Sequence, residues 1–211
     1  MNRTISIFIF LVLTSVISGQ TDPEALKVLD RFSSIASSAP SVSIKFNMVT
    51  INQAENKNDT VAGSLVMSKD QYRLEMPDNI TWFNGSISWN YLIREKEVTI
   101  TKPGKKDENI TSKPSLIFTL YKKGYKTRLI EDNPKEFIVD LYPEDINSDL
   151  IRIRLSIGKT NADLIKAEYK RKDGISVFLL VKDYNLKTKP QASDFTFNAK
   201  NYKDVEVIDM R

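Results

Sequence analysis

The chain has no cysteine and no histidine. A Ser–His–Asp or Cys–His arrangement therefore cannot be built, and the usual soft or imidazole metal ligands are missing. No disulfide can brace the fold and no thiol can carry a lipid anchor. Stability must come from apolar burial, which a domain of this length can supply. What remains for catalysis is carboxylate, lysine, tyrosine or serine chemistry. The carboxylate pairs on offer, Glu75 with Asp78 and Asp140 with Glu144, stand at outward strand or turn positions, where solvated surface is the better reading. The chain is expected to bind rather than to catalyse, with no cofactor and no metal.

Charge is not one-sided either. The 31 basic and 27 acidic side chains leave +4, spread along the chain rather than clustered. That argues against a nucleic-acid footprint and leaves a transient attraction to anionic membrane surfaces. Linkers, low-complexity tracts and repeats are absent as well. The one long apolar stretch, Ile5 to Ile17, runs for about 13 residues, short of the ~20 that cross a bilayer. With Arg3 before it and Ser18-Gly19-Gln20 after it, the stretch reads as a signal peptide over residues 1–20, cleaved near Gly19 or Gln20. Residues 21–211 then form a single exported domain. Asn-x-Ser/Thr triplets at Asn58–Thr60, Asn79–Thr81 and Asn109–Thr111 matter only in a host that glycosylates secreted proteins.

The domain opens with a helix: Asp22 is placed as N-cap, Pro23 as its first residue, and Glu24 complements the dipole. Leu26, Leu29, Phe32 and Ala36 recur at helical spacing until Ser37, Ser38 and Pro40 end it. From Ser41 the period changes to 2. Alternation through Val42–Met48, Val61–Met67, Tyr72–Met76, Ile80–Phe83, Ile87–Ile93 and Val98–Ile100, with turns between, predicts a six-stranded antiparallel meander. After a polar loop from Lys102 to Ser112, Pro114 is expected to open a short second helix, which Lys122, Lys123 and Gly124 close. Its body, Leu116 to Tyr121, is apolar on nearly every side and needs cover on more than one face. A second meander follows: Tyr125–Ile130, Glu136–Tyr142, Ile151–Ile157 with Arg152 and Arg154 outward, then Asp163–Arg171 and Ile175–Tyr184. A last segment carries Asp194 to Phe197, then Val205 and Val207.

Several local motifs are ordered along this frame: Gly63-Ser64-Leu65-Val66-Met67, Gln71-Tyr72-Arg73-Leu74, and Phe83-Asn84-Gly85 running into Trp89-Asn90-Tyr91. Lys113-Pro114-Ser115-Leu116-Ile117 and Phe195-Thr196-Phe197 with Val205-Glu206-Val207 come later. In this order they resemble the LolA family of outer-membrane lipoprotein carriers over essentially the whole exported domain. The resemblance implies an α+β, mainly β fold: a strongly curved antiparallel sheet, an unclosed half-barrel of about 11 strands, covered on its concave face by two to three short helices. It also implies a monomeric periplasmic carrier that takes acylated lipoproteins or other lipids from an inner-membrane release complex to an outer-membrane acceptor. The alternative within the same fold is a periplasmic lipid- or glycolipid-binding protein, or an acyl-sensing regulator. One departure stands out. Where the family commonly has Arg-Pro, this chain has Lys69-Asp70; the family's arginine helps clamp the lid, and Lys69 brings charge without the planar fork.

The face of such a sheet expected to be covered is rich in apolar residues: Phe46, Met48, Leu65, Met67, Tyr72, Leu74, Trp89, Tyr91, Val139, Leu141, Ile153 and Leu155. Any one of them suits an ordinary core. Collectively, on a curved and incompletely closed sheet, they are expected to leave a cavity, and Met48 and Met67 repack readily around chains of varying shape. Burying a 16-carbon acyl chain gains about 12 kcal/mol at about 0.8 kcal/mol per methylene. Three such chains would exceed the practical affinity ceiling of about 18–21 kcal/mol, so part of the gain must be offset if cargo is to be released. Leu116, Ile117, Phe118 and Leu120 are expected to serve as a lid that fills the empty cavity and moves out as acyl chains arrive.

Overall fold

The computed structural model describes residues 22–104, 110 and 112–211. The expected signal peptide, and Asn109 and Thr111 of the third triplet, lie outside the described residues. Helix α1 (Pro23–Ser38) starts as its sequence demands. The Asp22 carboxylate accepts from the backbone N–H of Glu24 at 2.9 Å, and its other oxygen accepts from the N–H of Leu129 at 2.9 Å. One side chain thus caps the helix and ties it to the sheet. Those backbone donors, Leu129 foremost, outweigh the effect of burial and lower the Asp22 pKa. Further along the helix, the Arg31 guanidinium donates to the carbonyls of Lys159 at 2.7 Å and Thr160 at 2.8 Å.

Twelve strands follow: β1 (Val42–Asn52), β2 (Lys57–Ser68), β3 (Gln71–Glu75), β4 (Asn79–Phe83), β5 (Ser88–Leu92), β6 (Glu97–Thr101), β7 (Tyr125–Asp132), β8 (Glu136–Pro143), β9 (Leu150–Gly158), β10 (Leu164–Arg171), β11 (Ile175–Asn185) and β12 (Glu206–Asp209). They form one curved sheet in the order β12-β6-β5-β4-β3-β2-β1-β11-β10-β9-β8-β7, unclosed because β12 and β7 do not pair. Every pairing is antiparallel except β12 on β6. The two meanders meet along β1 and β11, where one extra residue, Lys182, sits between the pairs Lys45–Asp183 and Phe46–Val181. Gly63 makes a close approach possible: a Cβ there would fall 2.6 Å from the Phe46 ring and 2.7 Å from the Met76 sulfur.

The structure corrects the helix count. Among the described residues one α-helix, not two or three, lies on the sheet, and the twelve strands agree with the expected number of about eleven. Where the second helix was expected there are two 3-10 turns, Pro114–Phe118 and Leu120–Lys122, broken at Thr119 (φ −131°). Their bonds run from residue i to i+3, as in Thr119 N–H to Leu116 O at 2.9 Å and Lys122 N–H to Thr119 O at 3.0 Å. No side chain caps the first turn, the segment is too short to repay helix nucleation, and Ile117 and Thr119 are β-branched. Among the described residues no helix is long and apolar enough to cross a membrane.

The main core lies between α1 and one face of the sheet. Leu29, Phe32 and Ala36 of the helix meet Ile44, Phe46, Leu65, Met67 and Tyr72 of the first meander and Val139, Leu141, Ile153, Leu155 and Ile157 of the second. The sheet does not keep its apolar side on one face. Pairing carries the inner position from Tyr72 to Phe83 and from Leu74 to Thr81, then to Asn90 and Thr99. Beyond Phe83 the inner face of β4 to β6 therefore turns largely polar, with Asn79 Nδ2 donating to Asn90 Oδ1 at 3.0 Å and the Thr81 hydroxyl donating to the same oxygen at 3.1 Å. The apolar residues of those strands, Trp82, Trp89, Tyr91, Val98 and Ile100, form a second cluster on the outer face, covered by Phe197, Tyr202 and Val205.

Candidate functional site

A cavity of about 950 Å³ lies on the inner face beside the main core. That is the upper end of the ~300–1,000 Å³ of ordinary ligand sites. Its sheet wall is Met48, Ile153, Ala167, Tyr169, Val177 and Leu179, with Tyr125 to one side, and its cover is Ile110, Leu116, Ile117 and Leu120. Strand register explains the wall, since Met48 faces Leu179, Leu179 faces Ala167, and Ala167 faces Leu155 across four adjacent strands. Arg171, Ile175 and Glu168 complete the rim. A smaller cavity of about 460 Å³ opens between the end of α1, the β2–β3 turn and the lid turns; it shares Leu116 with the larger one and is also lined by Met67 and Phe118.

The twelve expected cavity residues divide three ways. Met48 and Ile153 line the larger cavity and Met67 the smaller one. Phe46, Leu65, Tyr72, Leu74, Val139, Leu141 and Leu155 belong to the packed core under α1. Trp89 and Tyr91 are not on this face at all; they sit in the outer cluster, because Trp89 pairs with Trp82 and Trp82 with Arg73. The wall residues Tyr125, Ala167, Tyr169, Val177 and Leu179 were missed. On β10 the alternation of Lys166, Glu168 and Lys170 with Ala167 and Tyr169 pointed to them, whereas β11 is apolar on both faces through Val177 to Val181 and gave no such signal.

The four lid residues also part company. Leu116, Ile117 and Leu120 line the cavity and are half-buried. Phe118 is 5% exposed and turns into the core, its ring 5.0 Å from that of Phe32 on α1. Beside it the Tyr121 hydroxyl donates to Asp30 Oδ1 of α1 at 2.5 Å. Burial, and then the hydrogen bond to Asp30, push the Tyr121 phenol up to about 12. The lid is thus fastened to the helix by an aromatic contact and a phenol–carboxylate bond. Lys69 stands in the β2–β3 turn with positive φ (54°), at the edge of the smaller cavity. The ion pair that links this turn to the start of the lid is made by its neighbour, Asp70 with Lys113 at 3.6 Å.

Three of the four carboxylates considered for acid–base chemistry are engaged by separate partners. Glu75 pairs with Arg73 at 2.5 Å and Asp78 with Arg94 at 3.1 Å. Asp140 is fully buried on the outer face. Burial opposes its charge, but bonds from Arg154 at 2.6 and 2.8 Å and from Tyr142 at 2.8 Å, with Arg152 near, outweigh burial and hold its carboxyl below the usual range. A carboxylate kept in its charged form by two guanidinium groups is not poised to exchange protons near neutral pH. A cleft of about 650 Å³ also opens on the outer face beneath the C-terminal segment, with Arg73, Trp82, Phe197 and Tyr202 in its lining.

Comparison with solved structures places this architecture. An uncharacterized conserved protein from Thermus thermophilus matches with a TM-score of 0.57 at 14% identity, over 88% of this chain and 99% of its own. At that identity the likeness speaks for the fold alone. A putative outer membrane lipoprotein-sorting protein domain from Vibrio parahaemolyticus matches at a TM-score of 0.44 and 12% identity, over 84% of this chain and 97% of its own. A LolA superfamily protein from Nitrosomonas europaea has the same TM-score and identity, over 82% of this chain and 97% of its own. No curated protein matches the chain. The model of the family described as outer membrane lipoprotein carrier protein LolA matches residues 15–152, from before α1 to the start of β9. The chain belongs to the LolA family of outer membrane lipoprotein carrier proteins.

Proposed function

We propose that this chain is an exported carrier that shelters the acyl chains of lipoproteins, or of other lipids, in the cavity between sheet and lid, and passes them from a donor membrane to an acceptor. The observation that carries this reading is the cavity itself: about 950 Å³ of space walled mainly by aliphatic side chains and roofed by two short 3-10 turns rather than by a rigid helix. An aliphatic wall rewards hydrocarbon at about 0.8 kcal/mol per methylene. A roof that is not a continuous helix can shift without unwinding one. Release needs only that some of this gain be offset when Leu116, Ile117 and Leu120 are displaced from the cavity.

The roof separates two kinds of substitution. Ile117→Ser with Leu120→Ser should admit water to a filled cavity and speed the loss of a bound acyl probe by roughly tenfold or more, since each apolar side chain contributes about 1.5–3 kcal/mol when buried. The melting temperature should move little, because both residues are half-buried. Phe118→Ser should instead lower stability by about 3 kcal/mol or more, as for other buried aromatic truncations. Stopped-flow dissociation of a fluorescent fatty-acyl probe, beside thermal melts, checks both. Unchanged retention in the Ile117/Leu120 variant would sink the carrier reading.

A further inference from the structure

The cavity is not aliphatic to its mouth. Along β10 the inward residues run Ala167, Tyr169, Arg171, so polarity rises toward the β10–β11 turn in steps of one pleat, roughly 7 Å for every two residues. Tyr125, at the start of β7, faces the same space. Burial raises the Tyr125 phenol's pKa, and Tyr169 adds to that shift, which places the two rings within electrostatic reach of each other. Among the described residues neither hydroxyl has a hydrogen-bond partner. Arg171, one pleat nearer the turn, is already engaged by Asp173 at 2.7 Å.

We infer that Tyr125 and Tyr169 form a carbonyl-recognition pair at the neck of the cavity, donating to the ester or amide carbonyls where acyl chains join the polar part of an amphiphile. This rests on the lipid-cavity reading above and adds a chemical requirement to it. A ligand with its chains on the aliphatic wall and its polar end at the rim puts its acyl linkages one pleat inside Arg171, level with Tyr169. A ligand that is hydrocarbon at that depth strands two phenol hydroxyls away from water, and such unpaired groups discriminate more strongly than apolar contacts do. Because Arg171 is neutralised by Asp173, the neck suits a neutral acceptor rather than a phosphate.

Ester- and ether-linked lipids of equal chain length differ only in those carbonyls. Two series test the inference on the folded protein: dipalmitoylglycerol against dihexadecylglycerol, and a synthetic diacylated-cysteine peptide against its dialkyl analogue. The ester ligand should bind roughly tenfold tighter than the ether ligand in each series, the effect of two neutral hydrogen bonds. In Tyr125→Phe/Tyr169→Phe the gap should close, with ether-lipid binding at least as tight as in the parent because no phenol is left unpaired, which also shows that the variant is folded. Equal ester and ether binding in the parent, or a gap that survives in the double variant, overturns the carbonyl pair and leaves the lipid cavity standing. If neither ester nor ether lipid binds, the cavity reading falls, and the carbonyl pair with it. The tighter of the two parent series assigns the carbonyls to lipoprotein or to free acylglycerol.

Discussion

Asp140 carries its charge in the least accessible position of the outer face, with Arg154, Arg152 and Tyr142 around it. Because its folded pKa lies below the ordinary value of about 3.9, the fold favours the charged form. Its contribution is therefore complete above about pH 4 and is lost as pH falls through the lower, folded value. Asp140→Ala should destabilise the protein at neutral pH by about 2–3 kcal/mol, at or just below the low end for broken buried pairs because the Arg154 side chain, 33% exposed, still reaches water. Urea titrations from pH 6 to pH 2 should show part of the acid sensitivity disappearing in the variant. An unaltered pH profile would remove Asp140 from any such role. The outward direction of Arg152 and Arg154 was legible from their alternation with Ile151, Ile153 and Leu155. That they enclose a buried carboxylate was not, since Asp140 lies on another strand and only the β8–β9 register brings it to Arg154.

At the scale of elements, the lid shows where local sequence stops being informative. Pro114 at the start and Gly124 after the end mark the segment's limits as well in the structure as in the sequence. Its conformation depends instead on what it packs against: Phe32 takes one ring, Asp30 takes one hydroxyl, and the cavity takes three aliphatic side chains. Tyr121→Phe should cost about 1 kcal/mol, the net worth of one hydrogen bond, and should speed release of bound lipid. The sign of the pH effect follows from the raised phenol. The folded state retains the proton that the unfolded chain surrenders near pH 10, so stability falls as pH rises from about 10 to about 12. The Phe variant should lack that alkaline loss in a thermal-melt series, and a parallel decline in both proteins would exclude Tyr121 as its origin.

The whole molecule has two apolar clusters on opposite faces of one sheet, and hydropathy alone merges them. Alternation announced that β5 has an apolar side, Trp89 and Tyr91, but not which way that side looks. The direction needs the two-residue turn at Pro77-Asp78, which pairs Met76 with Asn79 through a 2.9 Å bond, and the parity then passes through Trp82 to Trp89. Trp82→Ala separates the clusters. With its ring 5.5 Å from Phe197 and 5.9 Å from Tyr202, its loss should cost about 3–5 kcal/mol, while acyl-probe affinity at a temperature where the variant is folded stays that of the parent. A drop in affinity matching the drop in stability would mean that the faces are not independent.

Eleven strands find a partner among close neighbours in the chain or along one seam, and that seam, β1 on β11, brings together segments far apart in sequence. Hairpins on either side close short loops and form fast, whereas the seam must wait for a long loop to close. In a refolding experiment with pulsed hydrogen exchange, amides of the β2–β3 and β9–β10 hairpins should gain protection before those amides of β1 and β11 that bond to each other across the seam. Simultaneous protection would contradict a late seam. Until it closes, each half of the newborn protein presents a bare strand whose natural mate is elsewhere on the same polypeptide, and two molecules meeting at that moment can trade halves. Crowding at that stage would turn one pairing in the middle of the sheet into the step at which intertwined dimers arise.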